Sequence, residues 1–210
     1  MQIKAYAAPA AKKALEEFSY EPKALTTQEI EIKITHCGIC HSDIHLIDND
    51  WHISKYPLVP GHEIVGVVSE VGSDVKGLKK GDRVGVGWQS GSCMSCEMCL
   101  KGEENLCSEA KATCINQYGG YAEKVPVDYR FAFPIQKEMD SEKTAPLLCG
   151  GITVYSPLRR WARPAMKVGI IGLGGLGHLA VKFAKAMGCE VTVFSHIPEK
   201  KYGVSIILNR

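Results

Sequence analysis

The chain has 210 residues, 45% hydrophobic and 23% charged, enough for one large domain or two small ones. Its 25 basic and 23 acidic residues leave a net charge of +2 with no block of like charge, which excludes a polyelectrolyte tail and argues against a nucleic-acid surface. No apolar run approaches the roughly 20 residues that cross a bilayer, and Met1–Tyr6 lacks the charged-then-apolar pattern of a signal peptide.

In chain order, residues 2–6 read as a short strand. Residues 29–35 alternate polar and apolar, the period-2 pattern of a half-buried strand, and run directly into Cys37–Asp43. Ser42 reads as the N-cap of a short helix through about Leu46, followed by a loop rich in His, Trp and Pro to Pro60. Residues 63–71 and 83–87 are β-prone, with turns at Gly72-Ser73 and Lys80-Gly81-Asp82. Residues 88–118 form a polar, Cys-rich lobe without periodicity. Strand character returns over 120–127 and 130–133, and 142–161 reads as a helix broken at Gly150-Gly151. Short strands at this spacing predict a small β-barrel-like domain over residues 1–157. From residue 158 the composition changes. An apolar strand (167–171), a Gly-rich turn (Gly172–Gly177), a helix (176–187) stopped by Gly188 and a second strand (189–194) make one βαβ unit.

Four of the nine cysteines fall in Cys93-x-x-Cys96-x-x-Cys99-x7-Cys107. Clustered cysteines in a chain without a secretion signal point to a metal and a reducing cytoplasm rather than a disulfide framework. Two-residue gaps bring successive thiolates to one ion, and four ligands leave no open position, so a zinc held here is structural. Paired disulfides or an iron–sulfur cluster are the alternatives. A second set is more dispersed: Cys40 at a strand end, His62 on a glycine turn, and Cys149 beside Gly150-Gly151. Two thiolates and an imidazole would leave a fourth position for water or substrate, but spacing alone leaves their convergence open.

Gly38-Ile39-Cys40-His41-Ser42-Asp43, Pro60-Gly61-His62-Glu63-Ile64-Val65-Gly66, the cysteine lobe and Gly172-Leu173-Gly174-Gly175-Leu176-Gly177 occur in one order. As a set, over residues 1 to about 195, they closely resemble the zinc-dependent medium-chain alcohol dehydrogenases. The lobe spacing and the run Pro146–Leu158 are most similar to the cinnamyl-alcohol-dehydrogenase branch with its bacterial aldehyde reductases. The resemblance implies a mixed fold: a GroES-like β-barrel catalytic domain (1–157), then the first βαβ unit of an incomplete Rossmann domain (158–210). It implies two Zn2+ per chain, one structural and one catalytic on Cys40, His62 and Cys149, with Glu63 near the metal and Asp43 holding the His62 ring. Asp43 also reads as a helix-start carboxylate. Ser42 and then His45 would relay the proton of a small-molecule alcohol or aldehyde; His41 would meet the cofactor pyrophosphate and Thr153 the nicotinamide. For His45 an exposed surface histidine is the alternative.

The loop Gly172, Gly174, Gly175, Leu176 and Gly177 opens a helix that would face a pyrophosphate. NAD-binding Rossmann folds place a carboxylate about 20 residues on. Here Ser195 is followed by His196, Lys200 and Lys201, which suits a 2′-phosphate and predicts NADP(H). The family's cofactor domain has two βαβαβ halves, whereas this sequence offers one βαβ unit. The expectation is therefore a truncated form, with a homodimer expected only for a full-length one. A catalytically inactive zinc-binding remnant is the alternative function. Trp51, Trp88 and Tyr56 read either as an aromatic pocket or as packing residues.

Overall fold

A computed structural model describes residues 2–195. The described chain forms two compact units, 1–148 and 149 onward. The boundary expected after residue 157 differs: Pro157 lies inside a helix that begins at Gly150, so 149–157 group with the second unit.

The first unit is built on a five-stranded antiparallel sheet. Its strands are β3 (Glu29–Cys37), β4 (Ile64–Val71), β5 (Arg83–Val86), β8 (Lys124–Asp128) and β9 (Phe133–Pro134), in the order β8-β3-β4-β5-β9. Alternation in β3 buries Ile30 and Ile32 and turns Glu29, Glu31 and Lys33 outward. Ile30, Ile32, Ile64, Val68, Val84, Val86, Val125 and Val127 make the main core, each such side chain contributing about 1.5–3 kcal/mol of burial free energy. β3 is irregular at Glu31/Ile32 and again at Ile34/His36. The second irregularity leaves Thr35 outside the ladder, with its hydroxyl donating to the Val65 carbonyl.

Two antiparallel ribbons flank the sheet: β1 (Ile3–Ala7) with β2 (Glu16–Tyr20), and β6 (Gln89–Gly91) with β7 (Lys111–Ala112). β2 is not apparent in the sequence because Glu16-Glu17-Phe18-Ser19-Tyr20 has no clean alternation. The stretch 130–133 is partly helical rather than extended, since the Asp128 carboxylate accepts from the Arg130 N–H and folds Tyr129–Phe131 into a 3-10 turn. A short helix α2 (Glu97–Leu100) lies in the cysteine lobe.

Helix α1 spans His41–Asp48, capped by Cys40 and not by Ser42. The reason is Asp43, whose carboxylate reaches back to the Cys40 N–H at 2.9 Å and closes a capping box two residues before the expected cap. Near the end of the unit a single turn, α3 (Ser141–Thr144), is capped by Asp140.

In the second unit, α4 (Gly150–Trp161) is capped by Cys149, so the break in the expected helix falls at the cysteine. Strands β10 (Lys167–Ile171) and β11 (Glu190–Phe194) pair in parallel through α5 (Gly175–Ala186), the crossover geometry of a βαβ unit. Ala180, Val181 and Ala184 bury the inner face of α5. Val168, Ile170, Val191 and Val193 remain half-buried, and Ile171 and Phe194 are exposed.

Candidate metal and dinucleotide sites

In the cysteine lobe, Sγ of Cys93 lies 3.9 Å from that of Cys99 and 3.5 Å from that of Cys107, and Cys96 and Cys99 are 3.6 Å apart. Zinc–sulfur bonds of about 2.3 Å in a tetrahedron separate sulfurs by about 3.8 Å. The four donors therefore fit a four-coordinate ion, and among the described residues no disulfide joins any cysteine. Backbone N–H groups of Ser95 and Cys96 lower the Cys93 thiol to about 6. A backbone bond from Cys99 favours the Cys96 thiolate, yet desolvation and the neighbouring thiols push Cys96 up to about 11. A divalent cation among the four sulfurs would offset the penalty on the Cys96 thiolate.

The second site grows from two strand ends. Cys40 follows β3, and His62-Glu63 enters β4. Ligand atoms of Cys40, His62 and Glu63 lie within 4.8 Å of one another. Asp43 organises them. Its Oδ1 accepts from His62 Nδ1 (3.0 Å) and the Gly61 N–H (2.9 Å); its Oδ2 accepts from the Cys40 N–H (2.9 Å) and the Tyr121 hydroxyl (3.4 Å). Burial would raise this carboxyl, but the His62 contact and the two N–H donors outweigh it and hold Asp43 below the usual carboxylate range. With Nδ1 donating to Asp43, the lone pair of the neutral ring lies on Nε2, the arrangement usual for a ligating histidine. Glu63 is buried, and desolvation raises its carboxyl above the ordinary range. The sulfur, imidazole and carboxylate donors together suit zinc.

Asp43, His62 and Cys114 also lie within 4.8 Å of one another. The Asp43 oxygens already face four donors whose partial positive charges would repel a cation, so this trio does not suit a second ion.

The other expected residues fall as follows. His41, Ser42 and His45 are all on α1, with Ser42 and His45 three positions apart and so on one face. His45 Nδ1 is 2.7 Å from Asp50 Oδ2. Rings run in contact from His41 to His45 (4.7 Å), Trp51 (5.2 Å from His45), Trp88 (6.1 Å from Trp51) and His62 (5.1 Å from Trp88). Tyr56 stands apart from this row, its hydroxyl donating to the Leu46 and Ile47 carbonyls. Cys37, beside Cys40, is a desolvated thiol pushed up to about 12. Asp50, Tyr121 and Cys114 were not singled out from sequence, and only Asp50 had a local signal, five residues after His45.

Cys149 and Thr153 belong to the second unit, where the Thr153 N–H donates to the Cys149 carbonyl at 3.0 Å in the first turn of α4. There Gly172 turns the chain at φ +89, and its N–H bonds the Phe194 carbonyl at 2.8 Å. Gly174 caps α5, and space beside Gly174 and Gly175 is open. A Cβ on Gly177 would meet the Gly172 carbonyl oxygen at 2.0 Å, so the loop closes only with glycine there. The result is a helix N-terminus behind an open backbone cradle, which fits a pyrophosphate. Leu176 is exposed in the first turn of α5, and Ser195 directly follows β11. His196, Lys200 and Lys201 lie outside the described residues.

With this geometry established, the chain belongs to the alcohol dehydrogenase GroES-like domain family, which matches residues 26–137. It is similar to an aldehyde reductase of a Synechocystis species, 48% identical over 200 residues, covering 95% of this chain and 60% of that protein. It is also similar in structure to a cinnamyl alcohol dehydrogenase of Sorghum bicolor (40% identical, TM-score 0.93, 99% of this chain and 62% of that one). The CAD of Helicobacter pylori, complexed with NADP(H), matches at 39% identity and a TM-score of 0.92 over 99% of this chain and 62% of that one. The chain thus spans about 60% of the length of the relatives it matches. Among the described residues no helix is long and apolar enough to cross a membrane.

Proposed function

We propose that the chain carries the catalytic domain and the opening of the cofactor domain of a zinc-dependent oxidoreductase that interconverts primary alcohols and aldehydes with NADP(H). The observation that carries this reading is the Asp43 carboxylate, which ties the Cys40 backbone to the His62 ring and leaves thiolate, imidazole and the Glu63 carboxylate side by side. Cys40, His62 and Cys149 would hold the catalytic zinc, with Glu63 beside them. Cys93, Cys96, Cys99 and Cys107 would hold a structural one, making two per chain.

Zinc, when bound, polarises a substrate oxygen, and NADP(H) carries the hydride. The chain's own part is positioning and proton movement. Ser42, half-buried on α1, takes or returns the proton of the substrate oxygen. His45, one helical turn on and 2.7 Å from the Asp50 carboxylate, passes it outward. Trp51 and Trp88 form an edge-to-face wall that suits a flat or aromatic aldehyde. Gly172–Gly177 would cradle the pyrophosphate with His41, and Thr153 would meet the nicotinamide. Ser195, with His196 and Lys200 after it, would receive the 2′-phosphate.

The test is reduction of benzaldehyde by the zinc-loaded 210-residue chain, followed as loss of NADPH absorbance. Turnover is expected with NADPH, at a kcat/KM above that with NADH, and Ser42→Ala lowers kcat while NADPH binding persists. A higher kcat/KM with NADH overturns the cofactor assignment. No turnover and no NADPH binding, at two zinc per chain, overturns the enzymatic reading.

A further inference from the structure

We infer that Cys114 is a positioning residue for His62, fixing the plane of its ring where Asp43 fixes only its direction. The inference rests on the reading of His62 as a metal ligand. A ring anchored at Nδ1 can still tilt about that hydrogen bond, and the aim of Nε2 tilts with it. Two groups oppose the tilt. The Trp88 ring stands edge-to-face on His62 at 5.1 Å and 86°, and the Cys114 Sγ lies within 4.8 Å of both a His62 ring nitrogen and an Asp43 oxygen.

The same short segment sets both groups. The Thr113 N–H donates to the Trp88 carbonyl at 2.8 Å, and its buried hydroxyl donates to the carbonyls of Gly87 and Trp88. Cys114 is fully buried and packs with Leu46 of α1, Leu58 and Ala8. It therefore links the helix that carries Ser42 and Asp43 to the loop that leads into His62. Its sulfur is a soft, compact filler against an imidazole and a carboxylate, where a longer side chain would displace the pair and alanine would leave a gap. Sequence gives no hint of this, since Cys114 lies seven residues past the four-cysteine cluster and outside its spacing.

Cobalt substitution tests the inference without relying on turnover. The wild-type chain, Cys114→Ala, Cys114→Ser and His62→Ala are loaded with Co2+. Metal content, visible ligand-field bands and the rate of cobalt loss to a chelator are then compared. Cys114→Ala is expected to release one of two cobalt ions about tenfold or more faster, the scale seen when support behind a ligand is removed, and to shift that site's bands. Cys114→Ser, closer in volume, should recover most of the retention, and the four-cysteine cobalt should be unaffected. If Cys114→Ala does not fold, Cys114→Ser against wild type carries the same comparison with a smaller shift. Wild-type bands and release rate in Cys114→Ala, whatever its melting temperature, overturn the inference. Metal content unchanged by His62→Ala overturns the ligand reading, and this inference with it.

Discussion

The carboxylate of Glu63 occupies the space a side chain on Gly38 would need: a Cβ built there would lie 1.9 Å from Oε2. The Gly38 N–H also donates to the Glu63 carbonyl at 2.9 Å, so strand end and buried acid are locked together. Gly38→Ala is therefore expected to destabilise the first unit by about 1–3 kcal/mol through overpacking. Glu63→Ala in the same chain should recover most of that loss. A urea-denaturation double-mutant cycle measures the coupling, and strictly additive effects would show that the two positions do not compete for space.

Asp43→Asn keeps the shape but removes the charge, and brings an N–H2 group to face donors. Metal affinity at the Cys40–His62 site should fall about 10- to 100-fold, read by chelator competition. The four-cysteine site should keep its ion, which makes it the internal control.

Cys99→Ser should remove one metal equivalent per chain and open residues 92–112 to protease. Cys99 is buried and its sulfur meets those of both Cys93 and Cys96, so an ion there would tie the turns of the lobe together. Metal analysis with limited proteolysis checks both effects. An intact lobe after metal loss would show that packing alone holds it.

Gly177→Ala should abolish NADPH binding, because the added methyl strikes the Gly172 carbonyl oxygen 2.0 Å away in the loop meant to approach the pyrophosphate. Fluorescence titration with NADPH is the readout, with unchanged metal content as evidence that the first unit remains folded.

Acid stability should depend on Glu31. Burial raises its carboxyl, but hydrogen bonds from Lys124 and Ser69, both at 2.7 Å, together lower it below the ordinary value. A depressed carboxyl stabilises the fold above its unfolded pKa and loses that contribution as pH falls through the folded one. Glu31→Gln should cost about 1–2 kcal/mol near neutrality. The difference from wild type should shrink below the ordinary glutamate pKa of about 4.3. A difference constant from pH 7 to pH 3 would rule this out.

What the sequence disclosed follows the range of each interaction. The strand ends that carry Cys40 and His62 were legible because β3 and β4 announce themselves by alternation and β-branched runs. The helix-start role of Asp43 is legible from its position, whereas its support of His62 follows only from the family resemblance, since nothing local links the two residues. The cap itself was misplaced to Ser42, since a cysteine is not a usual cap and the capping box is closed by the acid instead. The ribbon strand Glu16–Tyr20 has no period to read. Tyr121 and Cys114 reach Asp43 and His62 only through tertiary folding, and no local pattern marks such an approach.

Gly119, Gly120 and Tyr121 donate their backbone N–H groups to the carbonyls of Val59, Gly61 and Pro60 at 2.7–3.0 Å. This zipper joins the His62 turn to a segment far downstream, and Tyr121 meets Asp43 across 78 positions. It sets an order of events during synthesis. The thiolate and imidazole leave the ribosome early, but the carboxylate that aims them gains its last partner only after residue 121 has emerged. Long-range closures of this kind form late and slowly. A chain ending before Gly119 therefore carries Cys40 and His62 but lacks the zipper and the Tyr121 donor that complete the surroundings of Asp43.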